Sequence, residues 1–262
     1  MAELACLLCN RSVKSAKRDL TIQKLVTQLT PVKFYPILYR LLREEPICET
    51  CLTEIEVIGE EICEHCGRKK EGSFNGSFCR DCQPSNHTAL IYNRSALTYN
   101  DWAKNAMALY KYRGELRLHS LFMKLMLGSY YRYCTQWRIG LLTWVPLHPN
   151  RLEERGFNQV EQFAIQLGKL LQIPAAPLLV RQKETVKQSK QTGKLARMKS
   201  MQSAFALHHP TVSSISRNKR PVSILILDDI YTTGSTLESC AQQIHLLPEL
   251  IENKIYSLTV CR

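Results

Sequence analysis

The sequence predicts an α/β protein in which a parallel sheet flanked by helices follows a small cysteine-rich domain. Two patterns support this prediction. Eight of the eleven cysteines lie within the first 82 residues, and from about residue 86 short apolar runs alternate with amphipathic segments. Continuous apolar strands separated by helices indicate a parallel sheet that is covered on both faces. We therefore expect one domain at 1–84 and a second at 85–262.

The N-terminal cysteines form four CxxC pairs, and this spacing predicts zinc. A CxxC pair can place two thiolates on one tetrahedral metal ion. The third pair stands in the stretch CEHCGRK, where a glycine follows the second cysteine as in a zinc knuckle, and 12 residues separate it from the fourth pair. The predicted ligands are Cys6, Cys9, Cys48, Cys51, Cys63, Cys66, Cys79 and Cys82.

The pairing of these cysteines stays open at the level of sequence. Sequential use gives site A from the first four and a ribbon-like site B from the last four, and an interleaved cross-brace is the alternative. Site A has to span an insert, residues 10–47, whose segments LTIQKLVTQL and FYPILYRLL have helical patterns. We interpret His65 as a surface residue, and Cys134, Cys240 and Cys261 as small apolar residues.

The second domain alternates predicted strands and helices. Strands are predicted at 89–99, 140–147, 222–229 and 255–262, and helices at 101–114, 116–134, 157–173 and 237–247. Asn158 is a plausible N-cap for the third of these helices. Such sheets bind ligands at the carboxyl ends of their strands, so polar motifs that follow the strands form the candidate site.

The stretch ILILDDIYTTGSTL, residues 224–237, is the most informative of these motifs. Asp228 and Asp229 end an apolar run, although adjacent carboxylates repel each other. A loop of hydroxyls and one glycine follows, before a helix predicted to begin near Thr236, and such a loop cradles a phosphate dianion. The two acids could bind sugar hydroxyls, or a Mg²⁺ ion bound to those hydroxyls. Together with the phosphate-binding loop, they predict a site for a ribose 5-phosphate. The phosphate-binding candidates are Thr232, Thr233, Gly234, Ser235 and Thr236.

A second motif, VPLHPNRLEERGFNQ at 145–159, follows another apolar strand. Arg151 and Arg155 suit a pyrophosphate because guanidinium groups match phosphate oxygens, and Gly156 permits close approach of the backbone. Ion pairs with the neighbouring glutamates are the alternative for such a loop. The interpretation of both motifs requires acids that are open to a ligand rather than neutralised by a lysine or arginine of the protein.

The paired acids and the loop after them resemble the PRPP-binding signature of type I phosphoribosyltransferases. The order of motifs resembles the ComF family of competence-associated proteins over nearly the full length: four CxxC pairs, KYRG at 111–114, VPL with RGFNQ, KQSK at 187–190, and LDDIYTTGST. The resemblance implies a type I phosphoribosyltransferase-like domain in which Asp228 and Asp229 contact the ribose hydroxyls and residues 232–236 hold the 5-phosphate. Thr232 stands where many of these transferases carry a third acid.

The resemblance also implies a role in natural transformation. Family members act on incoming single-stranded DNA in the cytoplasm, with the DNA-uptake helicase and single-strand processing proteins, and the resemblance leaves transferase activity open. In an active transferase pyrophosphate leaves C1 of PRPP. Mg²⁺ would offset the charge of the leaving group, and Arg151 and Arg155 would stabilise it. The alternative is a transferase on an unknown acceptor, unrelated to DNA.

The excess positive charge lies in the second domain. Residues 1–84 carry 12 basic and 12 acidic residues, whereas residues 85–262 carry 23 and 11, an excess that favours phosphate-bearing partners. We interpret the lysine-rich stretch 181–199 as a mobile flap that closes over the ligand. Its predicted ligand contacts are Lys187, Gln188, Lys190 and Arg197.

The same charge suits single-stranded DNA, which also stacks on aromatic side chains. Six tyrosines and Trp102 lie between residues 99 and 133, although their helical spacing favours a core role for most of them. No apolar run reaches the length of a membrane span. The N-terminus lacks the pattern of a secretory signal, so a cytoplasmic location is expected.

Overall fold

A computed structural model describes residues 5–13, 17–70, 74, 76–82, 89–112, 117–182, 204–208, 223–247 and 254–262. The strands in these ranges are β1 (Tyr92–Leu97), β2 (Ile139–Trp144), β3 (Leu179–Arg181), β4 (Phe205–Leu207), β5 (Ser223–Ile230) and β6 (Ile255–Cys261). The helices are α1 (Arg18–Leu29), α2 (Tyr35–Arg43), α3 (Glu49–Thr53), α4 (Asp101–Tyr112), α5 (Arg117–Ser129), α6 (Pro149–Arg155), α7 (Gln159–Leu171) and α8 (Ser235–His245). Short 3-10 turns lie at Val32–Phe34, Arg80–Cys82 and Thr135–Trp137, and a π-helical turn lies at Tyr130–Cys134.

A four-stranded parallel sheet in the order β1-β6-β5-β2 forms the centre of the fold. Strand β5 shows why its sequence is continuously apolar. Leu225 and Leu227 pack on one face with α5 and α7, and Ile224 and Ile226 pack on the other with α8, because successive side chains of a strand point to opposite faces. The predicted parallel sheet flanked by helices is confirmed.

The ends of several predicted helices differ from the observed ones. The predicted helix at 116–134 is α-helical only to Ser129 and then continues as the π-helical turn. Helix α8 begins at Ser235, two residues earlier than predicted. Asn158 does cap α7, since its side chain accepts a hydrogen bond from the N–H of Val160 at 3.1 Å.

The insert between the first two CxxC pairs forms a helical hairpin, α1 and α2, that packs against α5. Gly128 on α5 makes this close packing possible: a Cβ atom there would lie 2.6 Å from Leu29 Cγ and 2.8 Å from Leu38 Cδ2. Lys124 Nζ donates to the carbonyl of Leu41 at 2.9 Å and pairs with Glu45. One face of the hairpin is thereby buried against α5, whereas residues such as Leu20, Val32 and Ile37 stay exposed.

A second contact joins the N-terminal region to the sheet edge. The N–H of Ile58 donates to the carbonyl of Ala96 at 3.0 Å, and the N–H of Thr98 donates to the carbonyl of Glu56 at 2.9 Å. One set of buried side chains runs from the N-terminal region into the α5 side of the sheet. The division into domains 1–84 and 85–262 remains a proposal, and the two regions share this core.

The antiparallel pair β3-β4 was not predicted from the sequence. Leu179 pairs with Leu207 and Arg181 pairs with Phe205, and the Arg181 guanidinium lies 5.3 Å from the Phe205 ring centre. Strands of three residues carry too little alternation to be recognised in a sequence. The basic stretch proposed as a flap begins at the end of β3 and precedes β4 in the sequence.

None of the helices in the described residues is both long enough and apolar enough to cross a membrane.

Candidate functional site

The carboxyl edge of the sheet brings the predicted motifs together. Strand β5 lies between β6 and β2, so the chain segments that leave these three strands are neighbours. The N–H of Val145, just after β2, donates to Leu227 on β5 at 3.0 Å, and the N–H of Tyr231 donates to Cys261 on β6 at 2.9 Å. The acid pair, the loop at 231–234 and the arginine motif after β2 therefore start from adjacent strands.

The loop at 231–234 connects β5 to α8 through a left-handed glycine. Gly234 has φ +80 and serves as the N-cap of α8, where it offers no side chain to satisfy the first N–H groups of the helix. Thr233 Oγ1 lies 3.1 Å from Ser235 Oγ. A helix N-terminus with neighbouring hydroxyls is suited to an anion, as the sequence predicted for residues 232–236.

The two acids occupy different environments. Lys111 Nζ lies 2.5 Å from Asp229 Oδ2, and this carboxylate side chain is 18% exposed. Asp228 Oδ1 accepts a hydrogen bond from the N–H of Asp229 at 2.8 Å. Limited access of water to Asp228, together with the charge of Asp229, raises the pKa of Asp228 to about 7. Asp228 therefore changes its protonation state close to neutral pH.

The ligand-site interpretation requires that no lysine or arginine of the protein neutralise either acid, and Asp229 fails this requirement. Lys111 pairs with it from α4, while both acids keep part of their surface exposed. A ligand at this edge has to bind Asp229 alongside the Lys111 ammonium group. In the sequence Lys111 stands out only as part of the KYRG motif, and nothing local to it indicates this contact.

Arg181 is a second cation that the sequence analysis did not include in the site. Its positive charge lowers the pKa of Asp228, against the larger effects of burial and Asp229. It lies at the end of β3, where the basic stretch begins. Its place in that stretch was visible in the sequence, but its proximity to Asp228 depends on the β3-β4 ribbon.

The arginine motif after β2 forms the short helix α6. His148 Nδ1 accepts from the N–H of Asn150 at 3.3 Å, and Pro149 opens the helix. Arg151 and Arg155 are partly exposed, and an Arg155 N–H points to Gln159 Oε1 at 3.5 Å. Gly156 ends the helix with φ +74, a conformation that favours glycine. Its predicted role in approaching a ligand stays a prediction.

The predicted flap contacts and the aromatic residues considered for DNA binding lie in three kinds of place: outside the described residues, in the core, or partly exposed. Lys187, Gln188, Lys190 and Arg197 lie outside the described residues. Of the aromatic residues considered for DNA stacking, Trp102, Tyr110 and Tyr130 are buried in the core, as their helical spacing favoured. Tyr99, Tyr131 and Tyr133 are partly exposed, and the side chain of Tyr112 lies outside the described residues.

The predicted zinc ligands gather in two groups that use the cysteines in sequential order. The Sγ atoms of Cys6, Cys9, Cys48 and Cys51 lie within 4.8 Å of one another, and so do those of Cys63, Cys66, Cys79 and Cys82. Sγ distances of 3.5 Å for Cys9–Cys48 and 3.7 Å for Cys66–Cys79 fit the spacing of about 3.8 Å around a tetrahedral zinc. The donor sets of sites A and B therefore suit zinc, and the cross-brace alternative is wrong.

Site B has the hydrogen bonds of a zinc knuckle. The N–H of Cys79 donates to Cys63 Sγ at 3.3 Å, and hydrogen bonds with the Cys66 and Cys82 thiols hold the pKa of Cys63 far below its usual range. Gly67, with φ +69, faces the carbonyl of Asn93, which would lie 2.7 Å from a Cβ atom. His65 is buried, with Nδ1 2.9 Å from the carbonyl of Ile91, so its interpretation as a surface residue is wrong.

The two metal sites are expected to differ in how fast they lose zinc. Cys9 of site A is exposed, whereas all four cysteines of site B are buried. Chelators reach a buried site only after local opening, so site A should release its ion roughly ten times faster or more. Release to a chromogenic chelator should have two phases, and Cys9→Ser should remove the fast one. Two ions released in a single phase would contradict the expected difference.

These features define a class: an α/β protein that joins a parallel sheet, with an acid pair and a hydroxyl-rich loop after one strand, to two groups of four cysteines that could hold metal ions. The chain is 27% identical to the competence protein ComFC of Bacillus subtilis (strain 168) over 246 residues, which cover 92% of this chain and 88% of the relative. It is 29% identical to ComFC of Streptococcus pneumoniae over 237 residues, 89% of this chain and 90% of the relative. The competence protein F of Haemophilus influenzae is 32% identical over 105 residues, 39% of this chain and 43% of the relative.

No family model matches the chain. Two of the relatives nevertheless match nearly the full length of the chain. These relatives, 27% and 29% identical over about nine tenths of the chain, support a ComF family competence protein and a competence-associated role.

Proposed function

We propose that this ComF family protein binds a ribose phosphate of the PRPP class at the carboxyl edge of its sheet. The observation that carries the proposal is the order of elements along the chain. Strand β5 ends with Asp228, Asp229 and Ile230, the loop at 231–234 follows, and α8 begins directly after the loop. Acids for sugar hydroxyls and a helix N-terminus for a phosphate lie next to each other along this stretch of the chain.

Each part of such a ligand has a proposed partner. Asp228 and Asp229 accept hydrogen bonds from the ribose hydroxyls, and residues 232–236 hold the 5-phosphate. Arg151 and Arg155 lie on α6, after the neighbouring strand β2, and suit the pyrophosphate. Mg²⁺ would accompany the pyrophosphate. Because Lys111 already neutralises Asp229, the ion would bind chiefly through the ligand.

We further propose single-stranded DNA as a second ligand and the cytoplasm as the place of action. The support is the charge of residues 85–262, with 23 basic and 11 acidic residues, and the competence names of the relatives. The expected partners are the DNA-uptake helicase and single-strand processing proteins. A transferase that releases pyrophosphate from PRPP is the competing function.

The proposal is tested by titrating PRPP with Mg²⁺ into the protein and into the double variant Asp228→Asn, Asp229→Asn. Hydrogen bonds to charged groups contribute about 1.5–3 kcal/mol each, so the variant should bind PRPP about 100-fold more weakly or worse. Single-stranded DNA binding, measured across a salt series, should be retained. Asp19→Asn makes the same chemical change on α1 and should alter neither affinity.

Three outcomes would each change the assignment. No PRPP binding by the unmodified protein contradicts the ribose phosphate site, and salt-steep DNA binding then identifies a DNA-binding module. Equal PRPP affinity in the double variant shows that the acids are not the contacts. Pyrophosphate release on addition of candidate acceptors identifies a transferase.

A further inference from the structure

Arg262 joins metal site B to the phosphate loop. One terminal nitrogen of its guanidinium donates to Cys66 Sγ at 2.8 Å. The other donates to the carbonyl of Thr232 at 3.1 Å. One side chain thus contacts a proposed zinc ligand and the backbone of the loop proposed to hold the 5-phosphate.

Arg262 also supports the ring on which the loop rests. Its guanidinium carbon lies 4.6 Å from the centre of the Tyr231 ring, within the range of a cation–π contact. Tyr231 is only 3% exposed, and its hydroxyl lies 2.2 Å from the position that a Cβ atom on Gly234 would take. The Tyr231 ring therefore packs directly against Gly234, and the Arg262 guanidinium contacts the same ring.

Backbone hydrogen bonds at the sheet edge hold Arg262, and they fix the point from which its side chain extends. Its N–H donates to the carbonyl of Leu97 at 2.9 Å, and its carbonyl accepts from the N–H of Tyr99 at 2.8 Å. A cavity of about 210 Å³ separates the loop from site B on this side, lined by Arg68, Asp81, Cys82, Tyr231, Thr232, Thr233 and Arg262. Tyr231 packs in the same buried cluster as the site B cysteines, and the Arg262 guanidinium adds hydrogen bonds to both Cys66 and Thr232.

The strength of this link depends on the state of Cys66. A metal-bound thiolate is a charged acceptor, and hydrogen bonds with a charged partner are roughly twice as strong as neutral ones. Without metal, no central ion fixes the four sulfur atoms of site B relative to one another. The guanidinium then loses its anchor at Cys66, and its contacts to Thr232 and Tyr231 lose their fixed geometry.

We propose that Arg262 is a positioning residue that couples zinc at site B to the phosphate loop, so that metal loading raises the affinity of the loop for a ribose phosphate. The ligand part of this inference rests on the proposed function. Because coupling free energies are reciprocal, a bound ligand must also retain the metal more firmly. Coupling of this kind typically changes affinity about 5- to 150-fold.

The first test needs no ligand. Hydrogen exchange of the amides at 231–236 and zinc release to a chelator are compared in the unmodified protein, Arg262→Met and Arg262→Lys. Arg262→Met should increase both rates about tenfold, and Arg262→Lys, which keeps the charge but cannot bridge both partners, should give intermediate rates. Arg68→Met removes a cation from the same cavity and should leave the exchange of 231–236 unchanged. Unchanged exchange and release in Arg262→Met overturn the proposal.

The second test measures the reciprocal effect. Saturating PRPP should slow zinc release from site B about fivefold or more in the unmodified protein and should have no effect on release in Arg262→Met. A residue that only stabilised the fold would not abolish this ligand dependence. Equal slowing in both proteins overturns the coupling. Absence of PRPP binding to the unmodified protein contradicts the proposed function instead, and the exchange and release rates without ligand then decide the link between Arg262 and the loop.

Discussion

Replacing Gly234 by alanine is expected to destabilise the protein and to abolish ribose phosphate binding. The residue has φ +80, and a Cβ atom would lie 2.2 Å from the Tyr231 hydroxyl and 2.6 Å from Cζ of the same ring. Strain in the left-handed region costs about 1–3 kcal/mol, and forcing an atom against a buried ring adds about 1–3 kcal/mol. Any shift of Tyr231 also moves the loop backbone, which is the proposed phosphate contact.

The matched control for this change is Gly76→Ala. Gly76 also has a positive φ, +70, but nothing lies within 4 Å of its Cβ position. The control therefore carries the backbone strain without the collision. Urea unfolding should show a clearly larger loss of stability for Gly234→Ala, and only this variant should lose PRPP binding. Equal losses for the two variants would mean that Tyr231 does not define the loop.

Replacing Cys63 by serine is expected to lower the zinc content from two ions per chain to one and to unfold the surroundings of site B. The four sulfur ligands of this site are buried and pack in the same cluster as Leu90, Ile255 and Tyr231. Structural zinc sites contribute on the order of 10 kcal/mol of binding free energy, which is comparable to the stability of a whole domain. The variant should lose several kcal/mol in urea unfolding and show fewer ions in elemental analysis.

Cys134→Ser provides the control for loss of a buried thiol without loss of a ligand. Cys134 is fully buried, and it lies in the π-helical turn, outside both cysteine groups. The Cys134→Ser variant should retain two zinc ions. Its free energy of unfolding should fall by only about 1–3 kcal/mol, the usual cost of burying an unsatisfied hydroxyl. Two retained ions in Cys63→Ser would contradict the assignment of site B.

The sequence predicted best those features that are encoded within a few residues. The CxxC pairs, the Asn158 cap and the four strands of the parallel sheet each rest on spacing or periodicity over a short window. The acid pair and the following loop were likewise placed at the end of a strand and the start of a helix. It missed the β3-β4 ribbon, because its three-residue strands are stabilised by pairing across a stretch of more than twenty residues.

Spacing and alternation over a few residues were enough to predict two groups of four cysteines and an α/β fold in which an acid pair precedes a hydroxyl-rich loop. Which charges meet at that edge depends instead on the tertiary structure. Lys111 reaches Asp229, and Arg262 reaches Cys66 from 196 residues away in the sequence, because the strand order places β6 between β1 and β5 and the N-terminal region pairs with β1. Contacts of this kind depend on the arrangement of whole elements in space, which no short window of sequence contains.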